Sequence, residues 1–208
     1  MTTSANIEQV RHALRAGGTA LLPTETVYGL AANAQDGMAI NKLYTLKGRA
    51  FNKPLALCVR SIETAKQLVH WSDEAEELAR HFWPGPLSLV LPAKDKLTFD
   101  QRLFGRFANG GRSLALRCPE MSWRDQLDVD FLALTSANRS GDTDTTDFSA
   151  AYAVFGASVE AAYKGPPAKI GKPSTIISMD INQPPSCLRW GALNPEDFAP
   201  FSLNWSLK

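Results

Sequence analysis

The sequence predicts a single α/β domain built on a mixed sheet. Short apolar runs rich in β-formers alternate with segments of helical periodicity, the combination that places helices against a sheet. Their order is irregular, which argues against a simple doubly wound fold. No repeat, low-complexity tract or linker interrupts the 208 residues, a length that one domain accommodates.

The elements follow in chain order. Ile7, Val10 and Leu14 lie at i, i+3 and i+7, an amphipathic helix stopped by Gly17 and Gly18. Thr19–Leu22 reads as a buried strand ending at Pro23. Ile40, Leu43 and Tyr44 mark a second helix running into Lys47, and residues 55–59 a strand. Residues 63–69 and 73–82 read as two helices, the second N-capped by Ser72 or Asp73. Strands are expected at 87–91, 113–117 and 131–135, a helix at 148–155, and late strands at 174–178 and 187–190. The prolines and glycines fall mostly between these elements, where breakers belong.

Composition excludes several function classes. Twenty-two basic side chains face 21 acidic ones, a formal net charge of +1, so no general attraction to nucleic acid is expected and any anion site must be local. Cys58, Cys118 and Cys187 form no CxxC pair, and His12, His70 and His81 show no HExxH spacing, which argues against a zinc site or a disulfide framework. Neither a signal peptide nor a membrane span is expected, and the cytoplasm is the expected compartment. P-loop and GxGxxG signatures are absent.

Five polar clusters carry candidate chemistry. PTETVYG at 23–29 follows a strand and offers hydroxyls and backbone N–H groups to a small polar substrate; a capping turn before a helix explains it as well. Lys47, Arg49 and Lys53 group three cations able to hold a polyphosphate, or form a solvated helix end. Ser113, Ala115 and Arg117 share one strand face. Arg117 is expected to emerge at the sheet edge, where it clamps a carboxylate or joins a structural salt bridge. Ser136, Asn138 and Gly141 suit a nest of N–H donors for phosphate, or simple turn chemistry. Ser174, with Arg189 close behind in the chain, begins a strand. Thr26, Arg117, Ser136 and Ser174 all sit at or near strand ends, so four of the clusters are expected to gather at one edge of the sheet.

Lys47-x-Arg49 with Ser136-x-Asn138 resembles the paired KxR and SxN signature of the YrdC-like threonylcarbamoyl-AMP synthases. The segments PTETVYGL, WPGP, SLALR, SANxSG, PSTI and LRxG resemble that family in the same order, from about Thr19 to Gly191. The resemblance implies a twisted mixed parallel/antiparallel sheet flanked by helices around a concave positive cavity. It also implies a nucleotidyltransferase reaction joining L-threonine, bicarbonate and ATP, with Mg²⁺ accompanying ATP, and a tRNA threonylcarbamoyl transferase complex downstream. By matched position, Thr26, Cys58, Arg117, Ser136 and Ser174 face threonine. Lys47, Arg49, Lys53, Ser113, Asn138, Thr146 and Arg189 line the ATP side, with Lys47 and Arg49 as the catalytic cations. Many relatives carry a histidine where this chain has Cys58, which bears on the amino-acid preference. The domain expected is residues 1–208, with a core of about 7–191 and a short C-terminal tail, the single-domain form. The alternatives are a related carbamoyl-adenylating enzyme with another amino acid or amine, or a noncatalytic module binding nucleotide, or binding RNA weakly.

Overall fold

Each α-helix of the described residues starts on a side-chain cap. The computed structural model describes residues 4–121, 123–181 and 183–201; the end of the expected C-terminal tail, 202–208, lies outside them. Helix α1 (Ile7–Arg15) opens on a capping box between Asn6 and Gln9. Helix α2 (Gly37–Lys47) opens on Asp36, which accepts from the N–H groups of Met38 and Ala39, and ends at Gly48 with φ +62°. Helices α3 (Ile62–Leu68), α4 (Asp73–Phe82) and α5 (Phe148–Phe155) open on Ser61, Ser72 and Asp147. Ser72, rather than Asp73, is therefore the cap of α4.

The strands are β1 (Thr19–Leu22), β2 (Gly29–Asn33), β3 (Ala56–Cys58), β4 (Leu87–Pro92), β5 (Phe104–Arg106), β6 (Arg112–Arg117), β7 (Leu132–Ser136), β8 (Ala161–Ala162), β9 (Thr175–Ser178) and β10 (Ser186–Arg189). They form one sheet in the order β10-β9-β4-β6-β3-β7-β2-β1-β8, with β5 beside β6. Pairs β1/β8, β3/β6 and β4/β9 are parallel and the rest antiparallel, the mixed sheet expected. Strands β2, β5 and β8 escape the sequence pattern: Gly-Leu-Ala-Ala-Asn, Phe-Gly-Arg and Ala-Ala lack the β-branched side chains that announce a strand.

The period of two divides the sheet into two different faces. On one face Leu21, Leu30, Leu57, Leu89, Leu116, Ala133 and Ile177 share a core with α2, α3, α4 and α5. On the other, Ala20, Leu22, Ala31, Leu132 and Leu134 pack under α1 and Trp123 at one end of the sheet. Farther along that second face the positions are Ala115 and Arg117 on β6, Ser88 on β4 and Ile176 on β9, and these line a cavity instead of a helix. The site is thus the stretch of sheet that no helix of the described residues covers.

Candidate functional site

The cavity has a volume of about 160 Å³, small beside the roughly 300–1,000 Å³ of pockets for drug-sized ligands, and suits a compact polar molecule. Thr26, Cys58, Arg117, Ser136 and Ser174 all line it, together with Arg49 and Arg189. An adjoining groove of about 990 Å³ shares Pro54, Ala115 and Ile176 with the cavity wall and has Ser113 in its lining. A small subsite therefore opens beside a larger one.

The cluster does not gather at one sheet edge, as expected from strand ends. Cys58 is level with Arg117 on parallel β6 and with Leu132, the first residue of antiparallel β7. Ser136, the last residue of β7, is level with Gly29 at the start of β2. Arg117 and Ser136 thus approach the cavity from opposite ends of the sheet, because β7 runs antiparallel to β3. Loop 23–28 brings Thr26 against Arg117.

Arg117 does not emerge at an edge either. It is buried on a central strand, and an ion pair with Glu25 makes that burial tolerable. Its Nη2 donates to Glu25 Oε1 at 2.5 Å and to Thr26 Oγ1 at 2.9 Å, and its Nε donates to the Gly85 carbonyl at 3.2 Å. Thr24 Oγ1 braces Thr26 Oγ1 at 2.8 Å and accepts from the backbone N–H of Thr26 and Val27. The turn thus leads into a strand, not a helix. Across the cavity the Ser88 and Ser174 hydroxyls share a hydrogen bond of 2.9 Å, and Arg189 donates through Nε and Nη2 to the Ser174 carbonyl.

Lys47 is a buried cation, not a solvated helix end. Its Nζ meets the Ser136 carbonyl at 2.6 Å, the Asn138 carbonyl at 2.9 Å, Asn138 Oδ1 at 2.8 Å and Ser136 Oγ at 3.3 Å. The KxR lysine therefore holds the SxN turn in shape. Burial, and then the charge of Arg49, lower its pKa to about 8, with Asp144 opposing. Arg49 donates from Nε to the Lys53 carbonyl and from Nη2 to the Pro54 carbonyl. Burial lowers the pKa of Arg49 and of Arg189 from the usual guanidinium value, and an arginine still stays charged. Cys58 is fully buried and its thiol is pushed up to about 12 by desolvation, against the opposing charges of Arg117 and Arg124. It is a wall, not a nucleophile.

Three expected ATP-side residues are not in the lining of the small cavity. Lys53 is exposed and contributes its carbonyl to Arg49 and Tyr44. Asn138 is buried behind Ser136, tied to Lys47 and to the Asp142 carbonyl. Thr146 pairs its carbonyl with the N–H of Ala168 and is not in the cavity lining. Sequence reasoning missed Glu25, Ser88 and Gly85. Glu25 is the one acidic residue of PTETVYG, and Ser88 is the polar position of an apolar strand, so both carried a signal.

The family model described as telomere recombination, covering Sua5, YciO and YrdC, matches residues 12–191. The threonylcarbamoyl-AMP synthase of Pyrococcus abyssi is 35% identical over 195 residues, 88% of this chain and 53% of that protein. The enzyme of the same name from Bacillus subtilis is 32% identical over 199 residues, 94% of this chain and 56% of its own length. The crystal structure of P. abyssi Sua5 complexed with L-threonine superposes with a TM-score of 0.83 at 34% identity, covering 92% of this chain and 56% of that one. The chain thus spans about half the length of these relatives. With the model matched across the sheet and every strand that lines the cavity, the chain belongs to the Sua5–YciO–YrdC family.

Proposed function

We propose that this chain forms threonylcarbamoyl-AMP and pyrophosphate from L-threonine, bicarbonate and ATP, for threonylcarbamoyl modification of tRNA adenosine. One observation carries the reading: a small cavity sets a held guanidinium, Arg117, among hydroxyls and has two further arginines, Arg49 and Arg189, in its wall. The name shared by the relatives supports the same reaction.

In this mechanism the threonine carboxylate lies on Arg117, and its side-chain hydroxyl lies among Thr26, Ser136 and Ser174. The amine adds to bicarbonate, water leaves, and an N-carboxylate remains. One of its oxygens attacks the α-phosphorus of ATP, the bond from the α-phosphorus to the bridging oxygen breaks, and pyrophosphate departs with that electron pair. An α-amino group with a pKa of about 8 has a usable neutral fraction at cellular pH, so no dedicated base is required. Arg49 and Arg189 offset charge that moves toward pyrophosphate. For that task Arg49 must exchange its loop carbonyls for phosphate oxygens. Lys47 keeps the Ser136–Asn138 turn in place, and Lys53, Ser113, Asn138 and Thr146 are the remaining expected ATP-side positions. Among the described residues no group of three or more His, Cys, Asp or Glu is placed to hold a metal ion; Mg²⁺ would enter with the ATP phosphates as part of the substrate.

No helix of the described residues is long and apolar enough to cross a membrane. A cytoplasmic enzyme handing its product to a tRNA threonylcarbamoyl transferase complex, with at most weak RNA binding of its own, completes the proposal. The test is pyrophosphate release from ATP and bicarbonate with each amino acid in turn. Release that requires threonine is expected; release indifferent to threonine would sink the substrate assignment, and none at all would leave a binding module.

A further inference from the structure

We propose that Glu25 is a positioning residue for the amino-acid substrate, fixing one edge of the Arg117 guanidinium so that the other faces the cavity. The inference rests on the reading that Arg117 clamps the substrate carboxylate. Glu25 is 6% exposed and Arg117 7%, and their contact at 2.5 Å is a fully desolvated ion pair. Such a pair is poor evidence for a purely stabilising role, because removing two charges from water offsets most of their attraction, and apolar substitutes often match it. A pair kept at the wall of a polar cavity calls for another account.

The geometry supplies one. Three acceptors, Glu25 Oε1, Thr26 Oγ1 and the Gly85 carbonyl, take up the Nε and Nη2 donors of Arg117. The hydrogen bonds of Arg117 to described residues leave Nη1 for a ligand. Two of the residues that carry those acceptors are held through their backbones. The Glu25 carbonyl accepts from the N–H of Ile170, and Gly85 donates its own N–H to the Cys118 carbonyl at 2.8 Å. Gly85 allows no side chain, since a Cβ there would lie 2.5 Å from the Phe82 carbonyl oxygen. The PTETVYG and WPGP segments thus converge on one guanidinium from two sides.

Glu25 itself does not line the cavity, so it acts through Arg117 and not on the substrate. Its charge neutralises Arg117 in part, so the clamp works by the direction of its donors more than by net charge. Positive potential in the cavity is left to Arg49 and Arg189.

The test measures KM for threonine and for ATP separately, by pyrophosphate release, in Glu25→Ala, Glu25→Gln and Arg117→Lys. Glu25→Ala is expected to raise the threonine KM by about 10–100-fold, the usual effect of removing a residue that orients a ligand-binding group, while the ATP KM stays unchanged. Glu25→Gln keeps the shape and one acceptor, so it should fold normally and fall between the wild type and Glu25→Ala. A threonine KM unmoved in both Glu25 variants, while Arg117→Lys raises it, would overturn the role of Glu25 and leave the clamp standing. No change in Arg117→Lys would overturn the clamp and the inference together. An equal rise in both KM values, tracking a lowered melting temperature, would reduce Glu25 to a structural partner.

Discussion

At the scale of single residues, Lys47 shows how a motif name can conceal a physical role. A KxR lysine suggests a phosphate-binding point charge, yet here four oxygens of Ser136 and Asn138 already surround its ammonium. Lys47→Ala would remove the ammonium donor from the Ser136 and Asn138 carbonyls and is expected to lower kcat/KM for ATP at least about a hundredfold, in line with losing one preorganised donor. Arg49→Ala should weaken ATP turnover too; full activity in both variants would refute the phosphate site. Titration adds a sharper test. As pH rises through about 8 the folded Lys47 gives up its proton, whereas the unfolded side chain keeps it to about 10.5. Between those values the unfolded state binds more protons, so this group adds stability as pH rises. The alkaline loss is therefore expected in ATP affinity and not in melting temperature, and Lys47→Arg should move it upward, because a guanidinium does not titrate there. Cys58 makes the opposite point. With its pKa near 12, about one part in ten thousand is thiolate at pH 8, so iodoacetamide should label half-buried Cys187 first and spare Cys58 in the folded protein. Labelling of Cys58 at a rate comparable to Cys187 would show that the cavity wall opens.

At the scale of elements, legibility followed side-chain pattern and failed where pattern was absent. Helices α1 to α5 could be read from side-chain pattern, and for α4 the expected cap is there, Ser72 accepting from Ala75 N–H; the Asp147 cap of α5, which accepts from Ala150 N–H, was not read from the sequence. Strand β2 could not, since five small or flexible residues gain their strand conformation from neighbours on both sides, β1 and β7. That omission mattered, because without β2 the turn at 23–29 reads as the entry to a helix instead of a loop laid across the sheet. The end of α2 is where element and site meet. Gly48 takes φ +62°, with open space around a would-be Cβ, so Gly48→Ala tests backbone strain alone. It is expected to cost about 1 kcal/mol, lowering the melting temperature by about 2–4 °C for a chain of this size. Because Arg49 directly follows, the ATP KM should rise with it. A variant that melts earlier with ATP affinity intact would show that the cap serves stability only.

At the scale of the whole molecule, composition excluded more than it located. Near-zero net charge argued against a broad nucleic-acid surface, and the structure instead confines three arginines to one cavity. Which residues face that cavity was partly legible, since period-two alternation placed Ser113, Ala115 and Arg117 on one face. What alternation could not show was which face lacked a helix, or that an antiparallel β7 would send Ser136 in from the other end; both depend on strand order, which a sequence does not print. The same architecture predicts a ligand-linked stability. A compact ligand held between Thr26 of loop 23–28, Arg117 of β6 and Ser174 ties together segments far apart in the chain, and binds the folded state alone. At a concentration of 100 times Kd, such a ligand stabilises by about 2.7 kcal/mol, which for about 200 residues raises the melting temperature by about 5–10 °C. Threonine added without ATP is expected to produce this rise in the wild type and none in Arg117→Lys, read by a thermal melt. ATP should still stabilise Arg117→Lys, because Arg49 and Arg189 remain in the cavity wall without it. A threonine-induced rise that survives the loss of the Arg117 guanidinium would place the amino acid elsewhere on the sheet.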